Sequence, residues 1–327
     1  MTPGGRAVTP DDRATTVRRA LTPEGCDVAP GPGHVFSSTI IPTVGRPSLA
    51  RAVESVLDQD FDAAGFEVIV VNDSGRPLPA EAWQSSPRVR ILHTARAERS
   101  IARNAGARVA RGAFLHFLDD DDALLPGALA ALWALHLARP DAAWLYGGYR
   151  NVDNDGAWVA EFRPELDGDI LAPLVAGEGI PFQGSLLRAT SFADVGGFDP
   201  AQVGTEDRDV GRALSMACLA AHTPALVAVI RVGQVGSTTD WSRLAELDRQ
   251  GREKILRRTG AGRRLRSSAV TPYWRGRLVR AYAGSVLWNL RRQAWPEAMA
   301  RLAGAVESAM TPRLWRRGFW RGLRQVR

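Results

Sequence analysis

The sequence predicts an α/β protein: a mostly parallel sheet with helices on both faces, followed by a C-terminal helical appendage. Three observations predict it. Between residues 35 and 149, short apolar runs alternate with segments of helical periodicity, the βαβ rhythm of a parallel sheet covered on both sides. The run Phe114-Leu115-His116-Phe117-Leu118 ends abruptly in Asp119-Asp120-Asp121-Asp122. Buried charge is costly unless paired or metal-bound, so these acids belong just beyond a strand's carboxyl end, where open α/β sheets bind ligands. From Leu244 onward the chain reads as helical and strongly basic.

The elements follow in order. Residues 35–41 read as a first strand, stopped by Pro42. Leu49, Ala52, Val53, Val56 and Leu57 carry a helical period over 47–58. Residues 67–71 are a buried strand closed by the turn Asn72-Asp73-Ser74-Gly75. A strand over 89–93, a helix over 99–109, a strand over 114–118, an apolar helix over 127–137 and a strand over 142–146 complete the alternation. After Tyr149 the rhythm changes. Residues 151–156 look like a hairpin turn between Tyr149 and Trp158, and 165–235 mix short strands and helices. In the tail, 281–290 and 296–307 read as two helices joined by a short turn, and 315–323 as a basic amphipathic end.

Composition sets the class. The chain has 327 residues, 45% hydrophobic and 24% charged, an ordinary globular balance with room for one large domain and an appendage. No apolar run reaches the roughly 18 residues a membrane-spanning helix needs. Residues 1–33 are polar, show no signal-peptide core, and read as a disordered tail. The two cysteines, Cys26 and Cys218, form no disulfide framework or metal-site spacing, which fits a reducing cytoplasm. The net charge of +7 hides a split. Residues 251–327 hold 19 Lys and Arg against three acids, a net of +16, and the rest of the chain carries −9. Trp274, Trp288, Trp295, Trp315 and Trp320 are interleaved with that charge. The combination fits an anionic membrane face or an acidic partner, and equally helices packed on the core with a solvated Arg face.

The four acids suit Mg²⁺ or Mn²⁺ escorting a diphosphate, since hard cations take oxygen ligands. They also fit an acidic turn capping the helix that starts near Pro126.

Several segments in one order carry a resemblance. They are Ser38-Thr39-Ile40-Ile41-Pro42-Thr43-Val44-Gly45-Arg46, Val70-Val71-Asn72-Asp73-Ser74-Gly75, Arg99-Ser100-Ile101-Ala102-Arg103-Asn104-Ala105-Gly106, the acid run with Pro126, and Val195-Gly196-Gly197-Phe198-Asp199 followed by Glu206-Asp207. Over roughly 36–240 the chain resembles the family 2 glycosyltransferases, with the GT-A Rossmann-like fold. The resemblance implies a domain over 34–240, its nucleotide-binding half at 34–149 and its acceptor half at 150–240, followed by the helical region 241–327.

It also implies roles. Asp119-Asp120-Asp121 matches the family's Asp-x-Asp motif, with Asp121 as metal ligand and Asp119 facing ribose or metal. Pro42, Thr43, Arg46, Asp73, Arg103, Asp119 and Asp120 would face the donor nucleotide. Asp73 would read the base, although an Asx turn explains an Asp there too. Glu206-Asp207 matches the acidic pair near the acceptor, with Asp207 the general base of an inverting single displacement. A pair of acids complementing a helix dipole is the structural alternative. Asp122 is expected to cap a helix or stand behind the metal ligands.

The implied activity is a hexosyltransferase using a UDP-linked sugar, Mn²⁺ or Mg²⁺, and a saccharide, lipid-linked or small-molecule acceptor, with no nucleic acid. The cysteine usage points to the cytoplasm, and the basic, Trp-bearing residues 270–327 point to peripheral association at the inner membrane face or to packing on the core. Gln234 stands where many members have a His near the metal site, so a catalytically weak scaffold is the alternative reading. A phosphohydrolase is disfavoured because Ile41-Pro42-Thr43 offers no nucleophilic Asp, and a dehydrogenase because no G-x-G-x-x-G follows the first strand.

Overall fold

The computed structural model describes residues 35–95, 98–233, 241–267, 269–310 and 316–325. The expected tail 1–33, Gln234 and Trp315 lie outside these. The described residues hold nine strands in one sheet and eleven helices.

The first half follows the expected alternation: β1 (Val35–Thr43), α1 (Leu49–Leu57), β2 (Gly65–Asn72), β3 (Val89–His93), α2 (Arg99–Val109), β4 (Phe114–Phe117), β5 (Ala123–Leu124) and α3 (Ala128–Ala138). β1, β2, β3 and β4 are parallel, in the order β3-β2-β1-β4. Consecutive residues face opposite sides, so strands buried on both faces are apolar throughout. Val68 and Val70 pack with Val53 and Val56 of α1 and Leu129 and Leu132 of α3. Ile69 and Val71 pack on the other face with Ala102 of α2. Gly106 lets α2 lie close to the sheet, since a Cβ there would stand 2.5 Å from Ile40 Cγ2.

β1 runs two residues past its expected stop. Pro42 and Thr43 stay in register with Val71 and Asn72, while the pairing of β1 with β4 ends at Ile40–Phe117. That flank carries no strand, and a residue lacking an N–H is tolerated beside it.

The second half turns the sheet mixed. β6 (Ala142–Val152) extends beyond the expected 142–146 and makes the anticipated hairpin with β7 (Trp158–Phe162). α4 (Leu171–Val175), β8 (Ser185–Arg188), α5 (Ala189–Asp194), α6 (Glu206–Ala217) and β9 (Leu219–Arg231) follow. β8 lies antiparallel between β4 and β6, β9 runs parallel to β6, and β5 closes antiparallel on β9.

The tail helices are α7 (Trp241–Leu256), α8 (Ala261–Leu265), α9 (Pro272–Arg291), α10 (Trp295–Ala309) and α11 (Arg317–Arg324). Ile255, Leu265, Leu278 and Tyr282 form a third core with Leu171, Val175 and Ala213, so the appendage packs on α4 and α6. The buried Arg301 donates from Nε to the buried Glu253 Oε2 at 2.9 Å, and Trp288 Nε1 donates to Glu246 Oε2 at 2.7 Å. No helix among the described residues is long and apolar enough to cross a membrane.

Candidate active site

The loop after β1 is tied to the acid run. Gly45 takes a left-handed φ of +84°, a conformation that glycine adopts without strain, and its N–H donates to Thr43 Oγ1 at 2.9 Å. Thr43 Oγ1 in turn donates to Asp120 Oδ2 at 2.6 Å, and Arg46 Nη1 donates to Asp120 Oδ1 at 2.6 Å. Asp120 is buried and satisfied at both oxygens, so it fastens the first loop. Arg46 stays open to solvent and also approaches Asp121 at 3.6 Å.

Asp119, Asp121 and Asp122 bring one carboxylate oxygen each within 4.8 Å of one another. Asp119 accepts from Arg103 and, at 3.1 Å, from Gln183 Nε2. Burial alone would raise its pKa, but Arg103 outweighs that and lowers it. Burial, then the neighbouring acids, raise the other two: Asp119 and Asp120 act on Asp121, and Asp119 and Asp121 on Asp122, which is pushed well above the usual carboxylate range. Two acids whose charged forms are disfavoured by burial and by their neighbours mark uncompensated negative charge. An all-oxygen donor set of this kind fits a hard divalent cation.

Asp122 does not cap a helix. It is buried and accepts from the Arg231 backbone N–H at 2.8 Å, while α3 starts at Gly127 in a left-handed conformation. The helix-capping alternative is therefore not what the fold uses.

At the end of β2, Asn72 Oδ1 accepts from Ser74 N and Oγ at 3.0 and 2.6 Å, and its Nδ2 donates to Arg76 O at 2.7 Å. An ionised aspartate could not make that last bond, which gives the amide at this position a local reason. Asp73 accepts from Thr94 Oγ1 at 2.6 Å and from the Glu98 N–H at 3.2 Å.

α2 carries the link to the acceptor side. Arg103 Nη1 donates to Glu206 Oε1 at 3.0 Å, its Nη2 to Asp119, and its guanidinium lies 5.4 Å from the Phe198 ring centroid. Burial would lower its pKa; Asp119 and Glu206 raise it instead. Removing one partner of such a buried network costs about 3–5 kcal/mol, because the remaining charges stay buried. Arg99 Nε stands 3.2 Å from the same Glu206 oxygen, and Glu206 Oε2 accepts from Gly204 N at 2.7 Å. Glu206 is thus buried and fully engaged, whereas Asp207, the next residue, opens into solvent. Partial desolvation of the carboxyl in the cleft, then the Glu206 charge, raise the Asp207 pKa against Arg208 and Arg103, the direction that suits a base.

Two recesses flank Arg103. A cavity of about 380 Å³ is lined by Pro42, Thr43, Arg46, Asp73 and the four acids, with Arg99, Gln183 and Arg231. A cleft of about 650 Å³ holds Asp207 with Tyr149, Phe162, Arg163 and Arg208. The candidate nucleotide residues therefore converge on one cavity, apart from Arg103, which is buried and braces it. Sequence reasoning missed Gln183 and Arg231, which arrive from the turn before β8 and the end of β9. It quoted Arg99 in a motif without assigning it a role. Among the histidines, His116 is buried between Thr39 Oγ1 at 3.1 Å and Gln183 O at 2.9 Å. Burial pushes it down to about 4, so it is a neutral core residue.

Residues 38–193 match the model of glycosyl transferase family 2. That segment, a little under half of the chain, is similar to members of the family. An uncharacterized glycosyltransferase of Escherichia coli K12, YibD, is 32% identical over 120 residues, 33% of this chain and 34% of its own length. The chain thus spans about a third of that relative, and 18% of an uncharacterized Sinorhizobium fredii protein, y4gI, that is 31% identical over 172 residues. Among solved folds, a fragment of S. aureus TarS in complex with UDP-GlcNAc aligns over 84% of this chain and 91% of its own, with a TM-score of 0.57 at 14% identity. The Pyrobaculum calidifontis mannosyltransferase PcManGT, with GDP-Man and Mn²⁺, aligns over 88% and 90%, with a TM-score of 0.50 at 19% identity. The GT-A architecture of this chain is shared with both.

Proposed function

We propose that this chain moves a sugar from a nucleotide-sugar donor, UDP-linked, to an acceptor hydroxyl by a single displacement with inversion. One observation carries the reading: Arg103 spans from Asp119 in the wall of one recess to Glu206, adjacent to Asp207 in the other. The donor would occupy the smaller cavity, with Asp73 at the nucleobase edge and Arg46 and Arg99 facing the diphosphate, where planar cationic forks suit phosphate. The acceptor would enter the larger cleft, its hydroxyl within reach of Asp207.

In the reaction the acceptor oxygen forms the new bond to the anomeric carbon as the bond to the diphosphate oxygen breaks. Asp207 takes the hydroxyl proton, an assistance typically worth about 10²–10⁴-fold. Asp121 and Asp119, with Asp122 behind them, would hold Mn²⁺ or Mg²⁺, which when bound neutralises charge on the departing nucleoside diphosphate. Arg103 keeps Asp119 ionised, and Thr43 and Arg46 hold Asp120 in the loop that roofs the donor. The complexes of TarS with UDP-GlcNAc and of PcManGT with GDP-Man and Mn²⁺ support a donor of this class.

The test is nucleotide release from a panel of UDP- and GDP-sugars, with and without Mn²⁺, beside thermal melting with each nucleotide. Metal-dependent UDP release with a matching melting shift is expected. Neither release nor shift with any nucleotide sugar would leave the fold as a scaffold only.

A further inference from the structure

α10 is only partly used by the fold. Its inner face, Ala298, Arg301 and Ser308, is buried. Its outer face leaves Trp295, Met299, Leu302 and Val306 exposed at 62, 59, 43 and 45%, with Met310 just beyond at 75%. Their three- and four-residue spacing sets these side chains on one stripe. Glu307 is the one charged residue among the fully exposed positions from 295 to 310. On α9, which packs against α10, Leu287 is exposed at 58%. An apolar stripe of this length on a folded surface marks an interaction site rather than scattered exposure.

The surroundings say what the site takes. Across the described residues of 251–325, eleven arginines are fully exposed against one acid, Glu307. Arg291 and Arg292 precede the stripe, Arg316 and Arg317 follow it, and on α11 Trp320 lies beside Arg317, Arg321 and Arg324 on an open groove. A second copy of this chain would bring the same cationic surroundings and be repelled. Acidic lipid headgroups complement them, and Trp favours the bilayer interface.

We propose that the outer face of α10 seats on an anionic lipid bilayer. Trp295, Met299, Leu302, Val306 and Met310 enter the interface while the flanking arginines meet headgroup phosphates and carboxylates. The buried Arg275, Arg277 and Arg301 and the packed Trp288 take no part. The association is therefore narrower than the whole basic tail: apolar insertion on one helix face, steered by charge and weakened by salt.

The experiment is flotation of the full chain with phosphatidylcholine vesicles containing a minority of phosphatidylserine, against phosphatidylcholine alone, at low and high salt. Wild type and the double variant Met299→Glu, Val306→Glu are compared, with light scattering in the absence of lipid. Wild type should float with anionic vesicles at low salt, and the variant should bind at least about tenfold less with unchanged melting and unchanged nucleotide release. Three results would each overturn the proposal: no flotation of wild type, equal flotation of the variant, or a lipid-free wild-type dimer that the variant makes monomeric, which assigns the stripe to a second copy. Vesicle binding is read without donor or acceptor, so its failure leaves the catalytic reading untouched.

Discussion

Asn104 and Phe198, 94 residues apart, are joined by reciprocal hydrogen bonds: Asn104 Nδ2 donates to Phe198 O at 2.8 Å, and Phe198 N donates to Asn104 Oδ1 at 3.0 Å. Gly197, at φ +69°, brings the backbone so near that a Cβ would stand 2.7 Å from Asn104 Oδ1. One turn of α2 thus presents Arg103 to Asp119 and Glu206, and the next residue pins the loop that leads into α6. The loop before α6 is registered against α2 through these two side chains.

Asn104→Ala should therefore leave both backbone groups of Phe198 without a partner. A loss of about 1–3 kcal/mol in urea denaturation is expected for buried groups left unsatisfied. Turnover should fall more than nucleotide affinity, because neither Asn104 nor the 197–198 loop lines the cavity proposed for the donor. Asn104→Asp keeps the acceptor and loses the donor, so it should fall between wild type and alanine. Equal losses in nucleotide affinity and turnover would count against the registering role.

Asp207→Asn should fold with unchanged melting, bind nucleotide normally, and lose about 10²-fold or more in turnover. The sign of the pH effect follows from the raised pKa. The base works deprotonated, so turnover should fall as pH drops through a value above the usual aspartate range, and this acid limb should vanish in the variant. A pH profile of nucleotide release reads both. Should Glu206→Gln remove the limb while Asp207→Asn keeps it, the base is Glu206.

Much of this was legible in the sequence, and the reason is physical. The parallel half buries its strands on both faces, so β2 and β4 appear as uninterrupted apolar runs, and α1 carries its period openly. Asp73, Asp119 and Asp121 follow directly on strands, which placed them at the sheet's carboxyl edge. The mixed half was not legible, because β8 is four residues long and β9 changes from buried to half-exposed along its length. Gln183 and Arg231 reach the acids only through long-range pairing of β8 and β9, and no local pattern carries that. The division of labour within the acid run was equally hidden. Asp120 and Asp122 are buried and hydrogen-bonded by Thr43, Arg46 and the Arg231 N–H, none of them sequence neighbours.

His116 gives a stability prediction. Burial holds its folded pKa at about 4, against about 6.5 for an ordinary imidazole. Between these values the unfolded chain binds the proton and the folded chain does not, so stability is present above pH 6.5 and lost as pH falls toward 4. The contribution is on the order of 3 kcal/mol at most, from about 1.4 kcal/mol per unit. The raised acids Asp121 and Asp122 act with opposite sign, so the comparison of wild type with His116→Gln isolates the imidazole. Urea denaturation across that window should show a shallower pH slope for the variant. Parallel slopes would mean that the ring protonates in place.

Asp121→Asn tests the acid group without relying on turnover. In the metal-free protein, burial and the charges of Asp119 and Asp120 disfavour the Asp121 carboxylate, so the amide should melt at the same temperature as wild type or above it. With Mn²⁺ and UDP the order should reverse. A ligand at 100 times its Kd stabilises by about 2.7 kcal/mol, and the variant should lose most of that gain while keeping its fold. Asp122→Asn provides the contrast, since that carboxylate is anchored to the Arg231 N–H and lies deeper: a partial loss is expected. Melting measured with metal alone, nucleotide alone and both together separates the contributions, and an undiminished Mn²⁺-dependent shift in Asp121→Asn would remove this residue from the ligand set.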